Sequence, residues 1–264
     1  MPPDLAHDGG AERAAAKSAE LEMVAHVLGH DLRAPARHVH GLVRAMGEVL
    51  GDRMPPEARE LLGMAESSAE RISTMIEAMV EWLRCGGDPV RATQLDLNVL
   101  VADALAIALR GRPGRADDLL IGTLPMCVAD RAGIVRALVE LLDNALAAGE
   151  PAGAWAGSRE VVVTGEIVES PTGPRARLSI RDRGMGFDPA AAAQLFRPFS
   201  TLHPRRGAER FPGRGLGMGL AMATRIVQSN GGSIDGVSAG SGQGATFRIT
   251  LPSERPSVGV ARHP

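Results

Sequence analysis

Two neighbouring side chains near the start of the sequence, His30 and Asp31, have the types needed for nucleophilic chemistry. A histidine with the ordinary pKa of ~6.5 is largely neutral at pH 7, so one ring nitrogen can attack an electrophile. Asp31 can orient the ring or accept the proton of the other nitrogen, which makes it the candidate general base. Pro35 cannot donate a backbone hydrogen bond to the carbonyl of Asp31, so the helix is expected to bend or loosen there.

A second pair of polar residues, Glu140 and Asn144, lies four residues apart in a segment that otherwise has an apolar helical pattern. Residues with this spacing share one face of a helix. Polar groups on such a helix need partners, and an amide oxygen such as that of Asn144 is a suitable hard ligand for Mg²⁺. The pair is therefore a candidate metal and phosphate site.

Glycines follow at two places where a nucleotide can be held. Asp182 ends an apolar strand pattern, so its carboxylate can accept from an exocyclic amine, while Gly184 and Gly186 let the backbone approach a base closely. Alternate glycines from 213 to 219 lead directly into a helical pattern that begins at Leu220. Backbone amides and a helix N-terminus can hold phosphate there, although the lysine and Ser/Thr of a Walker loop are missing.

The composition is that of a globular protein, with 44% hydrophobic residues among 264. The balance of 29 basic and 31 acidic residues gives no reason to expect nucleic acid as a partner. No apolar run reaches the ~20 residues of a membrane span, and the first residues lack the pattern of a secretion signal, so a cytoplasmic location is expected. Cys85 and Cys127 have no metal-like spacing and are expected to be buried or free thiols.

Two apolar stripes with helical spacing precede residue 86. The first helix carries Leu21, Val24, Leu28, Leu32, Val39, Leu42, Met46 and Val49, and the second carries Leu61, Ala65, Ile72, Met75, Met79 and Trp82. Pro55 or Pro56 suits the first turn of the second helix. The pattern predicts a helical hairpin in which each stripe is only half covered and His30 points away from the stripe toward solvent. Two such hairpins are expected to pair as a dimeric four-helix bundle that buries both stripes.

The rest of the chain alternates helix and strand patterns and predicts an α/β sandwich. Helices are expected at about 98–109, 131–148 and 219–229, with strands at 161–168, 177–181, near 233 and at 246–251. The predicted organisation is a flexible tail at 1–19, the hairpin at 20–86, the second domain at 90–252 and a flexible tail at 253–264.

These motifs, in this order, resemble the H, N, G1 and G2 boxes of sensor histidine kinases, over roughly residues 20 to 252. The resemblance implies a Bergerat-type ATP-binding fold, ATP and Mg²⁺ as cofactors, His30 as phosphoacceptor and Asn144 as the Mg²⁺ ligand. The segment 195–199 resembles the F box and 242–247 a closing segment. The implied nucleotide-binding residues are Asn144, Asp182, Gly184, Gly186, Phe199, Arg214, Gly215, Leu216, Gly217, Gly219, Leu220 and Thr246.

Partners follow from the same resemblance. It implies a homodimer that passes a phosphoryl group from His30 to an aspartate in the receiver domain of a response regulator. No sensor segment is recognisable in these residues, so a separate sensor or scaffold protein, or a longer chain, is expected to supply the signal. The segment 200–214 would form a mobile lid over the nucleotide, and its arginines could reach the phosphates.

Departures from the family pattern leave alternatives open. Glu140 resembles the residue that activates water in gyrase-type ATPases, which makes it a third catalytic candidate and ATP hydrolysis conceivable. Ala34 replaces the Thr or Asn that serves phosphatase activity in many members, and Ala147 and Ala148 replace residues that often support nucleotide binding. A non-enzymatic dimeric adaptor with a decayed ATP domain is a further alternative, as is a metal site at His26 and His30.

Overall fold

The computed structural model describes residues 23–25, 27, 29–85, 90–110, 116–148, 160–201 and 215–253. The chain forms two compact units, one built on the residues up to Asp88 and one on most of the residues from Pro89 onward. Among the helices in these ranges, none is both long enough and apolar enough to cross a membrane.

The first unit is a helical hairpin. Helix α1 (Arg33–Leu50) is followed by the 3₁₀ turn Gly51–Arg53 and by the long helix α2 (Pro56–Arg84). Pro56 is the first residue of α2, where the missing N–H costs no helical hydrogen bond. The predicted hairpin and its proline start are confirmed.

Small residues bring α1 and α2 together. A Cβ added to Gly29 would lie 3.2 Å from Val80, and one added to Gly47 would lie 3.2 Å from Leu62, so the helices run antiparallel. Ala36 of α1 is buried in the inner seam. The buried residues of α2 are Ala69, Val80 and Leu83.

Much of the apolar stripe on each helix is left uncovered in the single hairpin, as the pattern predicts for two helices alone. Val39, Leu42, Met46 and Val49 are 49%, 52%, 54% and 69% exposed, and Leu61 and Ile72 of α2 are exposed as well. The 3.6-residue period identified the helices correctly, and small residues lie where the two helices approach each other. Met75 and Trp82 of the second stripe are half-buried, so one hairpin covers its stripes only in part.

The second unit contains a five-stranded sheet with the order β2-β4-β5-β7-β6. Its strands are β2 (Leu119–Ile121), β4 (Val161–Val168), β5 (Arg175–Asp182), β6 (Ser233–Val237) and β7 (Ala245–Pro252). Strands β2 and β4 are parallel, and the other neighbours are antiparallel. A separate antiparallel pair joins β1 (Thr93–Asp96) to β3 (Met126–Ala129).

The second unit has three helices, α3 (Leu97–Ala108), α4 (Arg131–Ala148) and α5 (Gly219–Ser229), of which α4 and α5 pack on the sheet. Helix α4 contacts both other helices and β5, while α5 also contacts β6. Every second residue of β7 is buried, as in a sheet covered on one face. The predicted α/β sandwich is confirmed, with its core between the helices and the sheet.

The predicted elements agree closely with these bounds, since α4, α5 and β4 begin and end where the patterns placed them. The short strands β1, β2 and β3 were missed. They have three or four residues each, too few to show an alternating pattern. Cys85 and Cys127 are buried and free, as expected.

Candidate nucleotide and phosphoacceptor sites

His30 and Asp31 lie in a helical turn just before α1. The His30 side chain is 80% exposed and that of Asp31 is 66% exposed, so the predicted solvent orientation of His30 is confirmed. Nδ1 of His30 lies 2.9 Å from Oδ1 of Asp31. A carboxylate can only accept from the ring, so this hydrogen bond favours the tautomer with its proton on Nδ1 and leaves Nε2 with a free lone pair.

The helix is interrupted at Leu32, immediately after the His-Asp pair. Leu32 is a turn residue that keeps right-handed helical dihedrals (φ −88°, ψ −30°), and α1 begins at Arg33. The amide of Ala36 donates to the carbonyl of Leu32 over 3.3 Å, whereas Pro35 has no amide to give to Asp31. The loosening of the helix expected from Pro35 is therefore the loss of one backbone hydrogen bond, while the dihedral angles of Leu32 stay helical.

Asp182 ends β5 in the second unit and is only 2% exposed. The amides of Gly184 and Ala245 donate to its Oδ1 over 2.8 and 3.3 Å, so Oδ2 remains to accept from the amine of a ligand. Burial raises the pKa of Asp182, and the hydrogen bonds from backbone amides partly oppose that rise. The carboxylate is thus fixed in place and poorly solvated, as suits a hydrogen bond to a nucleobase.

Gly184 and Gly186 hold the loop after β5 against its neighbours. A Cβ on Gly184 would lie 2.5 Å from the carbonyl oxygen of Ala148, at the end of α4. Gly186 has φ +60°, and a Cβ there would lie 2.8 Å from the carbonyl oxygen of Gly244. The absence of side chains at both positions lets this loop run between α4 and the loop before β7.

Glu140 and Asn144 are both half-buried on α4, one turn apart. A Cβ added to Gly219 would clash with the carboxylate of Glu140, so this carboxylate lies close to the backbone of Gly219. Gly219 is the first residue of α5, so the carboxylate lies at the positive end of that helix dipole. The packing brings the N-box and G2-box residues together, and the oxygen atoms of Glu140 and Asn144 are of the hard type that Mg²⁺ prefers.

The two flanks of residues 202–214 meet at Ser200 and Gly217. Gly217 has φ +73°, and a Cβ there would lie 2.6 Å from the carbonyl carbon of Ser200. Phe199, just before Ser200, is the one non-glycine residue with positive φ (+60°) among the described residues. Such a conformation is unusual for a bulky side chain and is held only where the surroundings impose it.

The remaining predicted nucleotide-binding residues divide into two groups. Gly215, Leu216 and Leu220 lie half-buried at the start of α5, and Thr246 lies half-buried on β7 opposite Arg181. Arg214 lies outside the described residues, as do the other arginines of 202–214 and His26.

Ser238 was not predicted as a site residue, although it lies between the loop after β5 and the loop before β7. The Ser238 hydroxyl accepts from the amide of Phe187 over 3.1 Å and lies 2.7 Å from the carbonyl oxygen of Gly244. It thereby joins the loop after β5 to the loop before β7. A single serine beside glycines has no sequence signal that distinguishes it from an ordinary turn residue.

Together, these residues form three features. Asp182 is a buried acceptor for an amine, and the glycine turns give surfaces against which a flat base and phosphates can lie. Glu140 and Asn144 place two oxygen atoms that can bind a metal beside a helix N-terminus. In the first unit, the exposed imidazole of His30 donates a hydrogen bond from Nδ1 to the carboxylate of Asp31. The three features suit a nucleotide triphosphate with a divalent cation. The imidazole suits nucleophilic attack by Nε2.

Comparison with known proteins agrees with this chemistry. Residues 129–255 match the family described as "Histidine kinase-, DNA gyrase B-, and HSP90-like ATPase". Cyanobacterial phytochrome B of Nostoc sp. is 28% identical over 234 residues, which are 88% of this chain and 29% of that protein. Sensor histidine kinase TrcS of Mycobacterium tuberculosis is 31% identical over 229 residues, which are 84% of this chain and 42% of that protein. The chain thus spans less than half the length of either relative.

A solved structure shows the same fold. Full-length ShkA in complex with AMPPNP superposes with a TM-score of 0.53 at 20% identity, covering 87% of this chain and 45% of that one. At this identity the likeness concerns the fold alone. The ATPase-type fold and the resemblance to sensor histidine kinases are thereby confirmed. The chain is thus a relative of the sensor histidine kinases, with residues 129–255 matching the histidine kinase-, DNA gyrase B- and HSP90-like ATPase family.

Proposed function

We propose that this chain is an ATP-dependent protein histidine kinase that phosphorylates itself on His30. The observation that carries the proposal is the exposed His30–Asp31 pair, with its 2.9 Å hydrogen bond, in a chain that also has an ATPase-type domain. Nε2 attacks the γ-phosphorus of ATP, the bond from that phosphorus to the bridging oxygen breaks, and ADP leaves. Asp31 stabilises or accepts the Nδ1 proton as charge develops on the ring.

The nucleotide would bind the second unit through the residues described above. Oδ2 of Asp182 accepts from the exocyclic amine of adenine, and the backbone at Gly184 and Gly186 lies against the base. The turn at Gly215 and Gly217 and the start of α5 hold the phosphates. Asn144, with Glu140 beside it, would hold Mg²⁺, which when bound compensates phosphate charge.

The proposal includes three kinds of partner. A second copy of the chain would cover the exposed apolar faces of α1 and α2 and so complete a four-helix bundle. The phosphoryl group would pass to an aspartate in the receiver domain of a response regulator, as is typical of sensor histidine kinases. A separate sensor or scaffold, or further parts of a longer chain, would supply the signal. The proposed reaction consumes ATP, so the cytoplasm is the location that we propose for the protein.

The test is incorporation of phosphate from γ-labelled ATP into the full chain. Wild type should gain label that is acid-labile and base-stable, as a phosphorylated nitrogen is. His30→Gln should lose this label because the nucleophile is gone, and Asn144→Asp should lose it because the metal and phosphates are misplaced. His38→Gln, which changes another exposed histidine of the hairpin, is the matched control and should be labelled as wild type.

Two outcomes would favour the alternatives. Wild type that binds ATP and hydrolyses it without forming phosphohistidine, with hydrolysis lost in Glu140→Ala, would indicate a gyrase-like ATPase. Wild type that binds no ATP at all would indicate an adaptor. The contact of the Glu140 carboxylate with the start of α5 gives this residue a structural role, so a phosphorylating chain with weak hydrolysis is the expected result.

A further inference from the structure

A cluster of metal-ligating side chains lies within the hairpin, away from both sites described above. His40 of α1 and Glu66 and Glu70 of α2 each bring one ligand atom to within 4.8 Å of those of the other two. His40 and Glu66 are half-buried and Glu70 is exposed. His40 has no distinguishing motif in the sequence, where it resembles an ordinary polar position of the hairpin.

The antiparallel register of the hairpin puts these residues opposite one another. Gly29 faces Val80 and Gly47 faces Leu62. Each step toward the C-terminus of the first helix is therefore matched by an equal step toward the N-terminus of α2. This register places His40 opposite Ala69, which is buried and small. Glu66 and Glu70 flank Ala69 on α2, and their spacing of four residues directs both carboxylates to one face of the helix.

The three side chains have no other polar role within the described residues. None of them makes a side-chain hydrogen bond or an ion pair there, whereas Arg44 on the same helix pairs with Glu48 over 3.9 Å. Two carboxylates at this spacing repel each other unless a cation lies between them. A cation between the carboxylates would relieve this repulsion and would give the half-buried histidine and glutamate a common polar partner.

A groove of about 750 Å³ gives access to the cluster, and His40 and Glu70 are among its lining residues. A metal site needs such an entry path as well as its ligands. The pattern of one ligand from one helix and two from its neighbour is one that helical bundles use for metal centres.

We propose that His40, Glu66 and Glu70 bind a divalent transition-metal ion that joins α1 to α2. One imidazole nitrogen and two carboxylate oxygens form a donor set for Zn²⁺ or Mn²⁺, because Mg²⁺ and Ca²⁺ prefer oxygen ligands only. The site lies about three helical turns beyond His30, so it is separate from the reacting imidazole. It depends on the hairpin geometry and not on the proposed kinase activity.

The experiment is calorimetric titration of Zn²⁺ into the metal-free full chain without nucleotide. Wild type should bind one Zn²⁺ at this site with a micromolar or lower Kd. His40→Gln and Glu66→Gln should each weaken that binding by about tenfold or more, since even indirect supports of a metal site contribute roughly tenfold to hundredfold. Helical content measured by circular dichroism shows whether each variant is folded.

Matched controls are His38→Gln and Glu60→Gln, which make the same changes at exposed positions of the same helices and should bind as wild type. Bound Zn²⁺ should also raise the melting temperature of wild type but not of His40→Gln, because only the native hairpin presents all three ligands. Three results would overturn the proposal: no binding by wild type up to about 100 μM Zn²⁺, equal binding by the His40 and Glu66 variants, or displacement of Zn²⁺ by an equal concentration of Ca²⁺.

Discussion

At the residue scale, the proposed base-binding residue Asp182 carries a cost in stability. Its carboxylate is 2% exposed, and burial raises its pKa above the ordinary 3.8. A raised pKa means that the folded chain binds this proton more tightly than the unfolded chain does. The folded protein therefore loses stability as the pH rises from the ordinary pKa of this carboxyl through its raised pKa. Above that pH window Asp182 is ionised, and the folded protein is less stable than it is with Asp182 protonated.

Asp182→Asn should therefore stabilise the nucleotide-free protein. The amide oxygen can still accept from Gly184 and Ala245, but no charge is buried. We expect a higher melting temperature than wild type at neutral pH, and a difference that shrinks as the pH falls into the acidic window. Calorimetric melting at several pH values measures this.

The same substitution should abolish most ATP binding, because an amide presents its NH₂ group where the adenine amine needs an acceptor. Fluorescent-nucleotide titration of wild type and variant measures the loss. A variant that binds ATP as tightly as wild type would show that Asp182 does not contact the base.

Asp31 is the second residue whose role can be isolated. Asp31→Asn keeps a hydrogen-bonding side chain beside His30 but cannot take a proton, so phosphohistidine formation should slow by about 10²–10⁴-fold. Because Asp31 is largely exposed, neither folding nor ATP affinity should change. Single-turnover labelling at saturating ATP gives the rate, and a rate within twofold of wild type would exclude Asp31 as the base.

At the element scale, turns without side chains hold the nucleotide-binding unit together. Gly184 and Gly217 allow contacts with Ala148 and Ser200 that a Cβ would block. These contacts join the end of α4 to the loop after β5, and the two flanks of residues 202–214 to each other. The glycines are therefore needed for close packing between elements, in addition to the nucleotide contacts proposed for them.

Gly217→Ala should distort this turn. Its φ of +73° costs an alanine roughly 1–2 kcal/mol, and the added Cβ meets the Ser200 backbone. We expect lower stability by at least that amount and weaker ATP binding, measured by urea unfolding and nucleotide titration.

The control is Gly63→Ala on α2, where the structure places no atom within 4 Å of the new Cβ among the described residues. An alanine in a helix interior gains about 0.5–1 kcal/mol relative to glycine. The two substitutions should thus change stability in opposite directions. Equal effects would mean that the Gly217 turn is not constrained.

At the scale of the whole molecule, the outer face of the hairpin is the main apolar surface without a covering element among the described residues. Met46, Val49, Leu61 and Ile72 are each more than half exposed. Contiguous apolar surface of this kind marks an interaction site in soluble proteins. The proposed homodimer would bury it.

A charge on this face should therefore weaken self-association. Met46→Glu and Ile72→Glu should shift the protein toward monomer at micromolar concentration, because each would bury an unpaired carboxylate in the interface. Analytical ultracentrifugation measures the change. Ile167→Glu, at a position 51% exposed on β4, is the control and should leave association unchanged. A wild-type chain that is monomeric would contradict the dimer.

The sequence alone was sufficient where local chemistry decides the structure. Pro56 at the start of α2 and the apolar periods of α4 and α5 act within a few residues, so their elements were predicted to within a residue or two. The residue types of the His-Asp pair and of the Asp182 loop likewise suggested the chemistry that is proposed for them, and the structure agrees with the exposure of His30 and the burial of Asp182.

Contacts between distant residues were decided only by the tertiary structure. The sequence could not show which face of α1 meets α2, that the Glu140 carboxylate reaches the start of α5, or that His40 lies beside Glu66 and Glu70. A period of 3.6 residues identifies a helix and its faces, but the register between two helices depends on the size of the side chains that pack between them. The sequence therefore determined the main helices and strands and suggested the chemistry of their residues, whereas packing determined which residues lie together.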